Sequence, residues 1–278
     1  MRTVPIQINR CGMVYTDRIV FITGGAKGIG AGCARVFVDG GAKVVICDKD
    51  SESGASLAKQ LSEKGPGGCD FVPGDVAIPE ELTKAIDRTI KIHSRLDCLI
   101  NNAGYHLPLK TIDDSSVREF NDNLQTNIIS YFVASKLALP HLRETKGSII
   151  NIGSLAGKLG EAGSAIYSAT KAAITGFTKA LALEETNNQV RVNVILPGNI
   201  ISWGRLVAAA SRKDGDAWEK GLDSHQPTGR SGTVEEVGQL CLFLASDAAS
   251  YLTGIEVIIS GGSELGYGIK YPVDIPND

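Results

Sequence analysis

Thr23-Gly-Gly-Ala-Lys-Gly-Ile-Gly30 joins an apolar, β-branched run, Arg18-Ile-Val-Phe-Ile-Thr23, to a segment of helical spacing over 28–39. Glycines at 24, 28 and 30 permit a tight turn. They also let a pyrophosphate approach the backbone, where the unpaired N–H groups of a helix N-terminus would meet it. A glycine-rich turn alone is a weak signal. This one follows a strand, opens a helix and precedes a second apolar run, Lys43-Val-Val-Ile-Cys-Asp48, that ends on a carboxylate. That order of elements is the context of a dinucleotide-binding βαβ unit.

The same rhythm continues outward. Short apolar runs recur at Cys69-Asp-Phe-Val72, Leu96-Asp-Cys-Leu-Ile-Asn101, Ser148-Ile-Ile-Asn-Ile152, Val190-Arg-Val-Asn-Val-Ile195 and Ile255-Glu-Val-Ile-Ile259. Most read almost continuously apolar, as strands buried on both faces do. Segments of helical spacing lie between them at 53–63, 79–92, 113–138, 165–186 and 233–246. Pro79-Glu80-Glu81 suits a first helical turn, and Thr233-Val-Glu-Glu236 is a capping-box pattern. Alternation of this kind predicts an α/β fold, a Rossmann-like doubly wound parallel sheet of about seven strands with helices on both faces. One domain is expected over 17–262, after an N-terminal arm (1–16) and before a C-terminal tail (263–278). Residues 199–228, long and mixed in character after the sixth strand, are expected to form a lid over the ligand crevice.

Composition narrows the function classes. The 278 residues are 43% apolar and 21% charged, and the balance 28 − 31 gives a net charge of −3. A basic excess that would recruit nucleic acid or anionic lipid is absent. No stretch approaches the roughly 18–20 apolar residues of a membrane span, and the first residues lack the apolar region of a secretory signal. The six cysteines form no C-x-x-C pair, which disfavours a zinc site or a disulfide framework. A soluble, cytoplasmic, metal-free protein acting on a small molecule is the expectation.

Asp48 bears on the cofactor. A carboxylate there can accept both adenosine ribose hydroxyls and repels a 2′-phosphate. Lys27 and Lys49 pull toward NADP, but exposed lysines are mobile and screened. NAD is expected. Asp75, in Gly74-Asp75-Val76, either bonds the adenine edge or is a turn aspartate.

Three more patterns complete the reading: Asn101-Asn-Ala-Gly104 closing the fourth strand, Tyr167-Ser-Ala-Thr-Lys171 on a helix with Ser154 thirteen residues before Tyr167, and Pro197-Gly198 after the sixth strand. Tyr and Lys at i, i+4 share a helix face. Together, and in this order, these residues resemble the short-chain dehydrogenase/reductase family over essentially all of 17–262. The resemblance implies a catalytic tetrad of Asn127, Ser154, Tyr167 and Lys171. Tyr167 would be the base that takes the hydroxyl proton, with Lys171 and the positive nicotinamide lowering its pKa. Lys171 would also bond the nicotinamide ribose. Ser154 would hold the substrate oxygen, and Asn127 a water that links Lys171 to solvent. The cofactor would meet Gly24, Lys27, Gly28, Ile29, Gly30, Asp48, Asp75, Val76, Asn102, Ala103, Gly104, Pro197, Gly198, Ile200 and Ser202. Ser202 stands where the family commonly has threonine, Trp203 where proline is usual, and Gly153 replaces a frequent serine. A homotetramer is the assembly the family implies.

Candidate substrate contacts are His106, Ser154, Glu161, Tyr167, Asn199 and Trp203. The resemblance allows two alcohol substrates, a sugar such as L-fucose oxidised to a lactone or a 17β-hydroxysteroid such as oestradiol oxidised to a ketone. A steroid needs a long apolar trough. A sugar needs several hydrogen-bonding groups, because each buried hydroxyl left unpaired is costly. His106 and Glu161 therefore favour the sugar. Two other readings stay open: a carbonyl or acyl-thioester reductase using NADPH, which Lys27 supports, and a dinucleotide-binding sensor or scaffold without turnover, which predicts a damaged tetrad.

Overall fold

The computed structural model describes residues 14–202, 205, 206, 221, 223 and 226–265. Strand β1 (Ile19–Thr23) is buried at every position and leads through the glycine turn into α1 (Gly28–Asp39). There follow β2 (Lys43–Asp48), α2 (Ser51–Lys64), β3 (Gly68–Pro73), α3 (Pro79–His93) and β4 (Cys98–Asn101). The second half runs α4 (Val117–Leu124), α5 (Ser130–Thr145), β5 (Ser148–Ile152), α6 (Leu155–Leu159), α7 (Ala165–Glu184), β6 (Arg191–Pro197), β7 (Ile200–Ile201), β8 (Gly232–Thr233), α8 (Val234–Ala245) and β9 (Glu256–Ile259).

Seven strands form one sheet in the order β3-β2-β1-β4-β5-β6-β9, every pair parallel. Period-two alternation divides the core. Val20, Ile22, Val44, Ile46, Ile100 and Ile150 face α1, α2 and α8, while Phe21, Val45, Leu99, Ile149 and Val192 face α3, α5 and α7. Each such side chain, fully withdrawn from water, contributes about 1.5–3 kcal/mol. The expected doubly wound sheet is thus present. Strand order reverses between β1 and β4, and the crevice outside the carboxyl ends of those strands is where such folds take ligands.

Helices α1 and α8 meet most closely. A methyl group at Gly32 would lie 2.6 Å from Val234 O. The thiols of Cys33 and Cys241 stand 3.6 Å apart in this contact, both fully buried. Cys47, Cys69 and Cys98 are buried and unpaired as well.

Several boundaries differ from expectation. The helix expected over 113–138 begins at Val117, where Ser116 and Glu119 form a capping box, and α5 carries it on to Thr145. It is interrupted by a π-helical turn, Gln125–Ile129. The fourth strand begins at Cys98 because Asp97, fully buried, turns its carboxylate to Ile19 N, Arg18 and Arg95. The short β7–β8 ribbon and α6 were not anticipated, since two- and five-residue elements carry no readable period. Of the expected arm, 1–13 lie outside the described residues; at its end Tyr15 is buried edge-on against Phe37, and its N–H bonds Gly40 O. Most of the expected lid and all of the tail beyond Leu265 are also outside them. Among the described residues no helix is long and apolar enough to cross a membrane.

Candidate active site

The glycine turn is held by its neighbours. Gly24 and Gly28 adopt φ of +64° and +56°, a region that disfavours side chains. A methyl at Gly30 would fall 2.2 Å from Gly24 O, and one at Gly24 would fall 2.8 Å from Ala103 Cα. Among the described residues a methyl at Gly28 meets nothing nearer than Ser202 Cβ at 3.9 Å, so on that side they leave the turn open. Asn102 Nδ2 donates to Thr23 O and Gly24 O, and the N–H groups of Asn102 and Ala103 donate to Thr23 Oγ1. These bonds lash the end of β4 to the turn. A backbone cradle at a helix N-terminus, closed to side chains and open on one side, fits a dinucleotide pyrophosphate. Ile29 is half-buried beside it and Val76 is buried nearby.

Asp48 sits at the end of β2, as expected. Its Oδ2 accepts from Ala26 N and its Oδ1 from Asp50 N, which leaves a lone pair on each oxygen for ribose hydroxyls. Lys27 Nζ lies 2.6 Å from Asp50 Oδ2, and Lys49 lies 3.9 Å from Asp75. Asp75 is a turn aspartate: its Oδ1 accepts from Ala77 N, and its own N–H donates to Glu81.

Ser154, Tyr167 and Lys171 converge between β5 and α7. Lys171, buried at 4% exposure, donates to Ile152 O at 2.8 Å, as does the Tyr131 hydroxyl at 3.2 Å. Burial pushes Lys171 down to about 7. Ser154 Oγ accepts from Ala156 N, which caps α6, and also bonds the Tyr167 phenol. The Tyr167 pKa is raised in the chain alone. Burial raises it, the Ser154 bond lowers it, and the charge of Glu161 raises it further.

Asn127 lies in the π turn, fully buried. Its Oδ1 accepts from Tyr105 N, and its Nδ2 faces Tyr105 O, Asn123 Oδ1 and Thr170 Oγ1, each at 3.1 Å. An amide has two hydrogens to give. Its side chain is therefore committed to protein. Sequence reading missed Asn123 and Thr170, the partners that commit it. The only signal for Asn123 is its place one turn before Asn127.

Beside Tyr167 stands a polar wall. The ring of His106 lies 4.3 Å from that of Tyr167, centroid to centroid, and is tilted by 46°. His106 Nε2 is 3.1 Å from Glu161 Oε2 and 2.8 Å from Ser164 Oγ, and Nδ1 bonds Leu107 O. Lys110 N donates to Gly163 O, which pins the two loops together. Ser164 was not anticipated, because only the folded loop brings position 106 to it.

The remaining expected contacts lie across the crevice. Gly198 N donates to Ile259 O after Pro197, and Asn199 O accepts from Gly232 N within the β7–β8 ribbon that holds Ile200. Gly104 packs against Asn127 and Lys171, with its added methyl 3.4 Å from Lys171 Nζ. Ser202 Oγ accepts from Arg205 N at 3.4 Å. Arg205 also bonds Ser231 and Asp223. Trp203 lies outside the described residues.

A doubly wound sheet with a glycine turn at its reversal, and with Ser, Tyr and Lys gathered beyond the next strands, defines a nicotinamide-dependent oxidoreductase fold. The chain belongs to the short-chain dehydrogenase/reductase family: residues 24–264 match the family model described as enoyl-(acyl carrier protein) reductase. Among curated proteins it is 45% identical over 258 residues to L-fucose dehydrogenase of Mus musculus, covering 92% of each chain. It is 44% identical over 261 residues to L-fucose dehydrogenase of Bos taurus, covering 93% of this chain and 94% of that one. Among solved structures, L-sorbose reductase from Gluconobacter frateurii, complexed with NADPH and L-sorbose, superposes with a TM-score of 0.87. That match covers 92% of this chain and 100% of the other at 26% identity.

Proposed function

We propose that this oxidoreductase is an NAD-dependent sugar dehydrogenase that oxidises L-fucose or a related sugar at the hemiacetal carbon, giving a lactone. The observation that carries the substrate class is the His106–Glu161–Ser164 wall, 4.3 Å from the Tyr167 ring. It offers donors and acceptors to neighbouring hydroxyls where a steroid would need apolar surface. The likeness to two L-fucose dehydrogenases supports the same choice.

NAD, when bound, supplies the hydride acceptor. The chain's own groups do the rest. Gly24, Gly28 and Gly30 admit the pyrophosphate, and Asp48 offers its remaining lone pairs to the ribose. Ser154 holds the substrate hydroxyl against Tyr167, whose Oη takes the proton. Lys171, drawn down to about 7 by burial, sits one helical turn away and favours the phenolate whenever it is protonated. Asn127 keeps the Tyr105–His106 loop tied to α7 through Thr170. Lys27, the residue that favours the NADPH-reductase reading, is engaged by Asp50. The tetrad is intact, which disfavours a scaffold without turnover. Assembly as a homotetramer is part of the same reading, and the exposed Val117, Phe120, Ile129 and Phe132 along α4 and α5 support it.

Purified protein with NAD should reduce the cofactor with L-fucose and not with oestradiol, and Tyr167→Phe should abolish it. Turnover of the steroid alone overturns the sugar reading.

A further inference from the structure

We propose that Asp50 is a cofactor-specificity residue that holds Lys27 away from any phosphate on the adenosine 2′ position. The inference rests on the dinucleotide reading above and adds a residue that reading does not use. Lys27 is the last residue before α1 and Asp50 the last before α2, so the crossover from β1 to β2 brings two helix entrances side by side. Lys27 Nζ meets Asp50 Oδ2 at 2.6 Å.

The partner is a fixed one. Asp50 caps α2, with Oδ1 accepting from Ser53 N and Oδ2 from Ser53 Oγ, and its own N–H is bound by Asp48 Oδ1. Asp48 Oδ2 in turn accepts from Ala26 N, the residue next to Lys27. The four residues close a ring, so the flexible lysine stem goes to an anchored carboxylate. Lys27 holds Asp50 down at about 2, which keeps the carboxylate charged at every working pH.

A half-exposed ion pair is weak by itself. Discrimination comes from the sum. Four carboxylates (Asp48, Asp50, Asp75, Glu81) and two ammonium groups (Lys27, Lys49) stand at this corner, a formal balance of 2 − 4 = −2. A phosphomonoester carrying close to two negative charges must enter that field. Two neutral ribose hydroxyls, which donate to carboxylate oxygens, enter it favourably. Removing the Asp50 charge releases Lys27 from this ion pair and removes one group that repels the phosphate.

The test measures binding without turnover. The full chain is titrated with NADH and with NADPH, following nicotinamide fluorescence, for the wild type, Asp50→Asn, Asp50→Ser and Lys27→Met/Asp50→Asn. Asparagine and serine both retain an N-cap, so α2 keeps its start. Both single variants should tighten NADPH roughly tenfold and leave NADH within about twofold, with the gain shrinking as salt is raised. The double variant should lose the gain. Unchanged NADPH affinity in both single variants, or a gain that survives in the double variant, overturns the role of Asp50 while NAD preference stands. A wild type that binds NADPH more tightly than NADH overturns the NAD reading and this inference together.

Discussion

Tyr167 and Lys171 are both driven by burial toward their neutral forms, and each gives a measurable consequence. Tyr167→Phe keeps the ring and its contact with His106 but removes the hydroxyl that the proposed reaction uses as its proton acceptor. Turnover should fall by about 10²–10⁴-fold or more with NADH binding retained, as fluorescence titration would show. Lys171 carries a folded value of about 7 against an ordinary 10.5. Between those values the unfolded chain binds a proton that the folded chain does not, so stability must rise with pH. From pH 7 to 9 the gain should be about 2 kcal/mol, and it should vanish in Lys171→Met, read from denaturant midpoints of the two proteins. Under the proposed sugar reading, Glu161→Gln should raise KM more than it lowers kcat, because a wall that bonds sugar hydroxyls would do so in ground and transition states alike. That Tyr167 and Lys171 share a helix face was legible from their spacing, and Ser154 beside them from the resemblance to the family. Ser164 and the engagement of Lys27 by Asp50 were not, because each depends on two distant segments meeting, and Asn123 was not, because a polar residue on a helix carries no sign of the partner it will bond.

Helices here are placed by what their glycines allow. Gly32 on α1 lets α8 approach until Val234 O lies where a side chain would begin, whereas Gly176 on α7 has nothing within 4 Å of its missing methyl. Gly32→Ala should cost about 1–3 kcal/mol by forcing the pair apart. Gly176→Ala should stabilise by about 0.5–1 kcal/mol through helix propensity alone. Thermal melts of the two variants should move in opposite directions. At this scale the strands were readable because seven of them are apolar enough to be buried, while the π turn was not. A continuous helical pattern over 113–138 hides an extra residue per turn, and only the hydrogen bonds of Asn127 to Tyr105 and Thr170 account for the bulge.

For the whole molecule, the exposed apolar residues of α4 and α5 make assembly testable. Phe132→Asp, at a position 52% exposed, should lower the sedimentation coefficient without changing the circular dichroism of the subunit. The architecture was open to reading because alternation of strand and helix implies a parallel sheet covered on both faces, whereas the order of the strands was not.

The five described thiols share one more property. All are buried, those of Cys47, Cys69 and Cys98 are pushed up to about 12, and Cys241 is raised by its bond to Cys33 and by burial. None can react with an alkylating dye until the layers around it part. Because Cys33 and Cys241 sit between α1 and α8 and Cys98 within β4, modification followed by peptide mass mapping would record separately how often the helix pair and the sheet come open. The cysteines are thus built-in clocks of the molecule's breathing.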